Sequence, residues 1–147
     1  MKRFQSRRLA PGICAMALVA IAALTGNLKM AAASDEHLGL TEYEVACMPC
    51  HGATGRGDGP LAKQTQKPPP DLTRIARLNG GTFPSQRISG MIDGRVAVAE
   101  HGARDMPVWG DRYRASGDPA DNKRTIEARA RARIQALVRF LEAIQQQ

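Results

Sequence analysis

Aromatic residues are scarce in this chain. Its 147 residues include three Phe, two Tyr and one Trp. Past residue 33 the rings are Tyr43, Phe83, Trp109, Tyr113 and Phe140. A segment of that size can fill only a small core with its own side chains. Cysteine is also rare. There are three, and no second Cys/His cluster at metal spacing accompanies them, which excludes a four-ligand zinc site. No run alternates apolar and polar residues, and no hairpin turn signal appears, so an all-β fold and a thioredoxin-like βαβ setting are both excluded. The first 33 residues hold five basic residues and no acidic one. The remainder then has 16 basic against 14 acidic residues, so the formal charge of +7 on the whole chain does not argue for nucleic acid binding.

The amino-terminal stretch is of a different kind. Lys2, Arg3, Arg7 and Arg8 precede an uncharged run of 20 residues, Leu9 to Leu28, rich in Ala, Leu, Ile and Val. Ala31-Ala32-Ala33 then offers an A-x-A cleavage site. Residues 1–33 therefore read as a secretory signal peptide. The competing reading is an uncleaved membrane anchor at residues 9–28, since such a run just suffices to span a bilayer. Pro11, Gly12, Gly26 and Asn27 weaken it. Arg7-Arg8 fits a twin-arginine signal poorly. Cys14 lies inside this segment and is read as apolar filler. The folded domain is expected at 34–147.

That domain is built around Cys47-Met48-Pro49-Cys50-His51. The Cys-x-x-Cys-His spacing is the attachment signature of a c-type haem. Two thiols add across the haem vinyl groups, and the adjacent imidazole reaches the iron as proximal ligand. On a helix, positions 47, 50 and 51 share a face, because residues three and four apart are neighbours. One covalently held haem per chain would also supply the apolar bulk that the missing rings do not.

Around this motif the chain reads as helices separated by long loops. Residues 34–40 look like a loose lead-in. Thr41 and Glu44 suggest a capping box opening a helix at about 41–50, with Leu40 and Tyr43 on its apolar face. The four glycines of 52–60 mark a loop. It lacks the Gly-Lys-Ser/Thr ending of a phosphate cradle. Lys67-Pro68-Pro69-Pro70-Asp71-Leu72 is stiff and extended. It could serve as a polyproline ligand, but beside the motif a scaffold role fits better. One of its carbonyls is expected to accept a hydrogen bond from His51 Nδ1, fixing the ring. A short helix is expected over 71–78, ending near Asn79-Gly80-Gly81. A firmer one is expected over 84–93, with Ile88, Met91 and Ile92 on one face and Gly94 as its stop. Residues 95–120 look irregular. The last helix carries Ile126, Ala130, Ile134, Leu137, Leu141 and Ile144 at helical spacing, with Asp118 or Asp121 as cap. Its arginines (124, 129, 131, 133 and 139) lie mainly off that stripe and read as a solvated face.

A second axial ligand decides whether such an iron carries electrons or binds gas. His37, Met48, Met91, His101 and Met106 are the candidates past residue 33. Met48 lies within the motif and His37 close to it. Met91 falls on an apolar helix stripe. His101 and Met106 remain, and Met106 is preferred because Pro107 holds its stretch extended; His101 is the alternative.

Taken together, these features resemble a class I cytochrome c. The likeness spans nearly all of 38–145: a tyrosine four residues before the first cysteine, His51-Gly52, the glycine-rich loop, Pro70-Asp71-Leu72, Met106-Pro107 and a final amphipathic helix. Within that superfamily it is similar to small bacterial monohaem proteins grouped with the cytochrome c subunits of cbb3-type oxidases. The resemblance implies an all-α fold wrapped round one haem, thioether bonds at Cys47 and Cys50, and axial ligands His51 and Met106. It implies that Trp109 borders the propionates. It further implies a periplasmic electron carrier, not an enzyme, that meets redox partners transiently: a dehydrogenase, a bc-type complex, or a terminal oxidase or reductase. The rival readings are a dedicated haem subunit of a periplasmic dehydrogenase or oxidase, and a gas-binding or catalytic haem. The long arginine-rich final helix departs from the pattern.

Overall fold

The structure, a computed structural model, describes residues 35–96 and 106–146, which belong to one unit, Asp35–Gln147. The segment read as a signal peptide or anchor (1–33) and the candidate ligand His101 lie outside the described residues. Among the described residues every regular element is helical and none is a strand. None of these helices is long and apolar enough to cross a membrane.

The first helix, α1, covers 35–46, so the expected loose lead-in is helical. Thr41 does not cap it. Its hydroxyl donates to the carbonyl of His37 at 2.9 Å, the back-bonding that Thr adopts inside helices. Nor does Leu40 continue the inner face, since it is 40% exposed. Gly39, Tyr43 and Cys47, spaced four apart, are buried, and so is Glu42 beside Tyr43. A turn at Cys47 leads into α2, Met48–His51.

Two short 3₁₀ turns follow, Ala62–Gln64 and Leu72–Arg74, the second running into α3, Ile75–Leu78. Next is α4, Ser85–Asp93, which stops at Gly94 in the left-handed conformation. Within the span expected to be irregular lies a further helix, α5, Trp109–Ala115. The last, α6, is Lys123–Ala143. Its cap is Asn122, whose side chain accepts from Thr125 N at 3.0 Å, rather than Asp118 or Asp121.

The core forms where α4 and α5 pack on α6 and on each other. Ile88 and Ile92 of α4, Tyr113 of α5, and Ala130, Ile134, Leu137, Val138 and Leu141 of α6 are buried there with Tyr43 and Cys47 of α1. The apolar stripe of α6 is thus largely as expected, though Ile126 and Ile144 at its ends are only half-buried. The arginines 124, 129, 131 and 139 are exposed. Arg129 pairs with Asp121, and Arg139 with Asp35 at 2.8 Å.

Two contacts set α1 against α6. Gly39 lies on the backbone of Ala136, which is fully buried; a Cβ at position 39 would run into the Ala136 carbonyl. Tyr43 packs on Phe140 with ring centroids 4.9 Å apart. Beside the crossing, Arg133 is not a solvated arginine. Its guanidinium grips the buried Glu42 carboxylate through two bonds, 2.6 and 3.0 Å, and lies 4.0 Å from the centre of the Tyr113 ring.

Because α1 and α6 meet backbone to backbone, Gly39→Val is expected to destabilise the fold by about 1–3 kcal/mol, the usual range for overpacking where backbone cannot yield. Urea unfolding followed by circular dichroism measures it.

Candidate functional site

The end of α1 sets Cys47 inward, and α2 turns the next residues around it. Cys47 N donates to Tyr43 O at 2.9 Å, and His51 N to Cys47 O at 2.8 Å. Pro49 suits the first turn of α2, where a missing N–H costs nothing. Gly52 then reverses the chain with φ +80, a value that favours glycine. The Tyr43 hydroxyl, 1% exposed as a residue, donates to Gly52 O at 2.6 Å. Tyr43 is therefore a strut as well as a packing residue: it ties α1 to the residue that follows His51.

The glycine-rich loop and the proline segment are laced to α2 and to each other. Gly57 N donates to His51 O at 2.8 Å, Gly59 N to Cys50 O at 3.1 Å, and Leu61 N to Pro49 O at 2.8 Å. Leu72 N donates to Gly55 O at 2.7 Å. Gly57, at φ +82, lies against the Pro69 carbonyl, where a Cβ would collide. Asp71 caps the following turn, accepting from Thr73 N at 2.9 Å. Gln145, just past α6, closes the far side: its Oε1 accepts from Ala76 N and its Nε2 donates to Leu72 O, both 2.8 Å.

This lacing presents the Pro70 carbonyl to His51, with Nδ1 at 3.1 Å. A carbonyl can only accept, so Nδ1 is the donor in this contact. The expected anchor for the ring is thus present, and Pro70 supplies it. His51 itself is buried.

Two adjoining clefts share Cys47, His51, Pro70, Met106 and Trp109 as wall. The larger holds about 350 Å³ and has Leu72, Ile75, Ile88, Met91, Ile92 and Leu141 among its mainly apolar lining. The smaller adds Cys50 and the proline segment. All four residues singled out from the sequence, Cys47, Cys50, His51 and Met106, therefore meet at one place. Trp109 meets them there, at the start of α5, with Arg112 5.0 Å from its ring centre. The inner face of α4 was legible as core from its Ile88–Met91–Ile92 stripe, but its role as cleft wall was not. Met91 shares the larger cleft with Met106, so two thioethers reach it. Met48 packs partly against the core, and His37 lies exposed on α1.

Neither Cys47 nor Cys50 is in a disulfide. Burial pushes the Cys47 thiol up to about 12, with Glu42 and Cys50 adding to the effect, so it stays protonated at neutral pH. Among the described residues no group of three or more His, Cys, Asp or Glu is placed to hold a metal ion. The smaller cleft brings two thiols, an anchored imidazole and a thioether to one surface, and the larger extends that surface with mainly apolar side chains. Comparisons of the chain with protein-family models, with curated proteins and with solved structures find no match.

Burial, helped by Cys47 and Asp58, also pushes the Tyr43 hydroxyl up to about 12 from its usual 10. The folded state thus holds this proton more tightly than the unfolded chain. The resulting stability is fully present below pH 10 and lost as pH rises towards 12. Tyr43→Phe should remove part of that alkaline loss. It should also cost about 1–2 kcal/mol at neutral pH by stranding the Gly52 carbonyl. Urea titrations at neutral and alkaline pH measure both.

Proposed function

We propose that this chain is an exported, monohaem c-type cytochrome that carries single electrons between redox proteins. What supports the reading is the meeting of Cys47, Cys50, His51 and Met106 on one apolar cleft, with the His51 ring fixed by Pro70. The residues present fit the group: two reduced cysteines flank one wall, the imidazole is anchored through Nδ1, and aliphatic side chains make up much of the remaining surface. In such a cleft a bound haem supplies an iron that takes up and gives back one electron.

The chain's own residues then do four things. Cys47 and Cys50 tether the group. His51 would ligate the iron through Nε2, while the Pro70 carbonyl holds Nδ1 and raises the ring's basicity. Met106, which lines the same clefts, would offer a soft sulfur that favours reduced iron. The apolar lining from α3, α4 and α6 excludes water. No substrate bond is made or broken, so the chain is read as a carrier, not an enzyme. Its site is the periplasm, with residues 1–33 as the export signal. Partners of the kind expected, a dehydrogenase, a bc-type complex or a terminal oxidase or reductase, would meet it transiently over small interfaces.

Absorption spectra test the ligand pair. The oxidised protein should show the weak charge-transfer band of iron–methionine ligation, and the reduced protein should resist carbon monoxide. Met106→Ala should lose the band and bind carbon monoxide readily, whereas Met91→Ala should keep the band. A wild type without the band that binds carbon monoxide would replace the carrier with a gas-binding or catalytic haem.

A further inference from the structure

The strongest set of charges outside the cleft sits where α4 ends and α5 begins. Asp93, the last residue of α4, has a side chain only 7% exposed. It is held by Arg114 of α5, whose Nη2 lies 2.6 Å from Oδ1, and it also pairs with Arg95. The same Arg114 reaches α6, its Nε 2.7 Å from Glu127 Oε2, and lies 3.6 Å from Asp111. Glu127 in turn receives Arg95 at 3.3 Å and Arg131 at 4.0 Å.

The backbone beneath these charges is closed as tightly. Gly110 lies on Asp93, so that a Cβ at 110 would strike the Asp93 carboxylate and the Arg114 guanidinium. One residue after Asp93 and two before Gly110, the chain closes again: Gly94, with φ +82, lies on the Val108 side chain. The two points at which the chain leaves α4 and enters α5 are thus stapled to each other, and through Glu127 to α6. Met106 stands two residues before Val108.

Of these charges only Asp93 is withdrawn from water, and partly exposed ion pairs around a buried carboxylate contribute little net stability. What a network of this kind adds is a fixed geometry. We propose that Asp93, Arg114 and Glu127 are positioning residues for Met106, holding its thioether at the cleft so that their loss frees the sulfur while the helical core stays folded. The proposal rests on Met106 being the iron's sulfur ligand.

The test uses the full-length, haem-loaded protein and Arg114→Gln, Arg114→Lys and Glu127→Gln. Three readouts are compared: the iron–methionine band, carbon monoxide uptake by the reduced form, and helical circular dichroism. Deleting a charge-assisted hydrogen bond should raise the fraction with Met106 off the iron roughly tenfold or more. Arg114→Gln should therefore weaken the band and take up carbon monoxide at temperatures where its helices are intact. Arg114→Lys should recover part of the band. Glu127→Gln should show the same effect in smaller measure, and it carries the test if Arg114→Gln does not fold. The proposal is overturned if the band in these variants persists until the helices melt and carbon monoxide uptake stays at the wild-type level. Failure of the ligand assignment itself would show in the wild type, as a missing band before any substitution.

Discussion

Where α1 crosses α6, no side chain separates the two backbones. Gly39 lies directly on Ala136, and that contact fixes how α1 lies on the platform of α6. The consequence is felt eight residues on, where Cys47 enters the core. Tyr43, one turn after Gly39, packs on Phe140 and donates to the Gly52 carbonyl. The position of the Cys47–His51 turn thus follows from a glycine, an alanine and two rings. In a domain with so few large side chains, close backbone approach replaces bulk as the means of locating one helix on another.

From that turn the site is assembled by backbone hydrogen bonds more than by side-chain packing. The glycine loop and the proline segment have few apolar residues with which to build a core. They are held by bonds to Pro49, Cys50, His51 and each other. Proline stiffens one strand of this lacing, and glycine lets the other approach it. Their joint product is a carbonyl at Pro70 held at hydrogen-bond distance from His51. A histidine with its Nδ1 committed in this way has one orientation and one ligating nitrogen, which the proposed chemistry requires.

Much of this was legible in the sequence, for identifiable reasons. The stripe over Ile88, Met91 and Ile92 with a glycine stop marked α4, because amphipathic period and cap agreed. The carbonyl for His51 was placed in the proline segment because extended chain near a ligand histidine offers acceptors. Other elements were hidden. In the middle of α1, Thr41 and Glu44 matched a capping box, but the hydroxyl bonds back to His37; the signal that pointed the right way was the four-residue spacing of Gly39, Tyr43 and Cys47. Helix α5 is one short element with Gly110 in its first turn, held by Asp93 and α6 and not by its own periodicity. Only the spacing of Trp109 and Tyr113 announced it. Arg133 looked like one solvated arginine among several, since its partner Glu42 lies 91 positions away.

The central claim is that Cys47 and Cys50 hold one haem covalently. Intact mass spectrometry of the purified protein after acid–acetone extraction tests it most directly. The account predicts a polypeptide heavier than its amino-acid sequence by one haem, with the colour left on the protein, and loss of both in the Cys47→Ala/Cys50→Ala variant. A chain of unmodified mass with two free thiols, or a haem that leaves with the solvent, would contradict it.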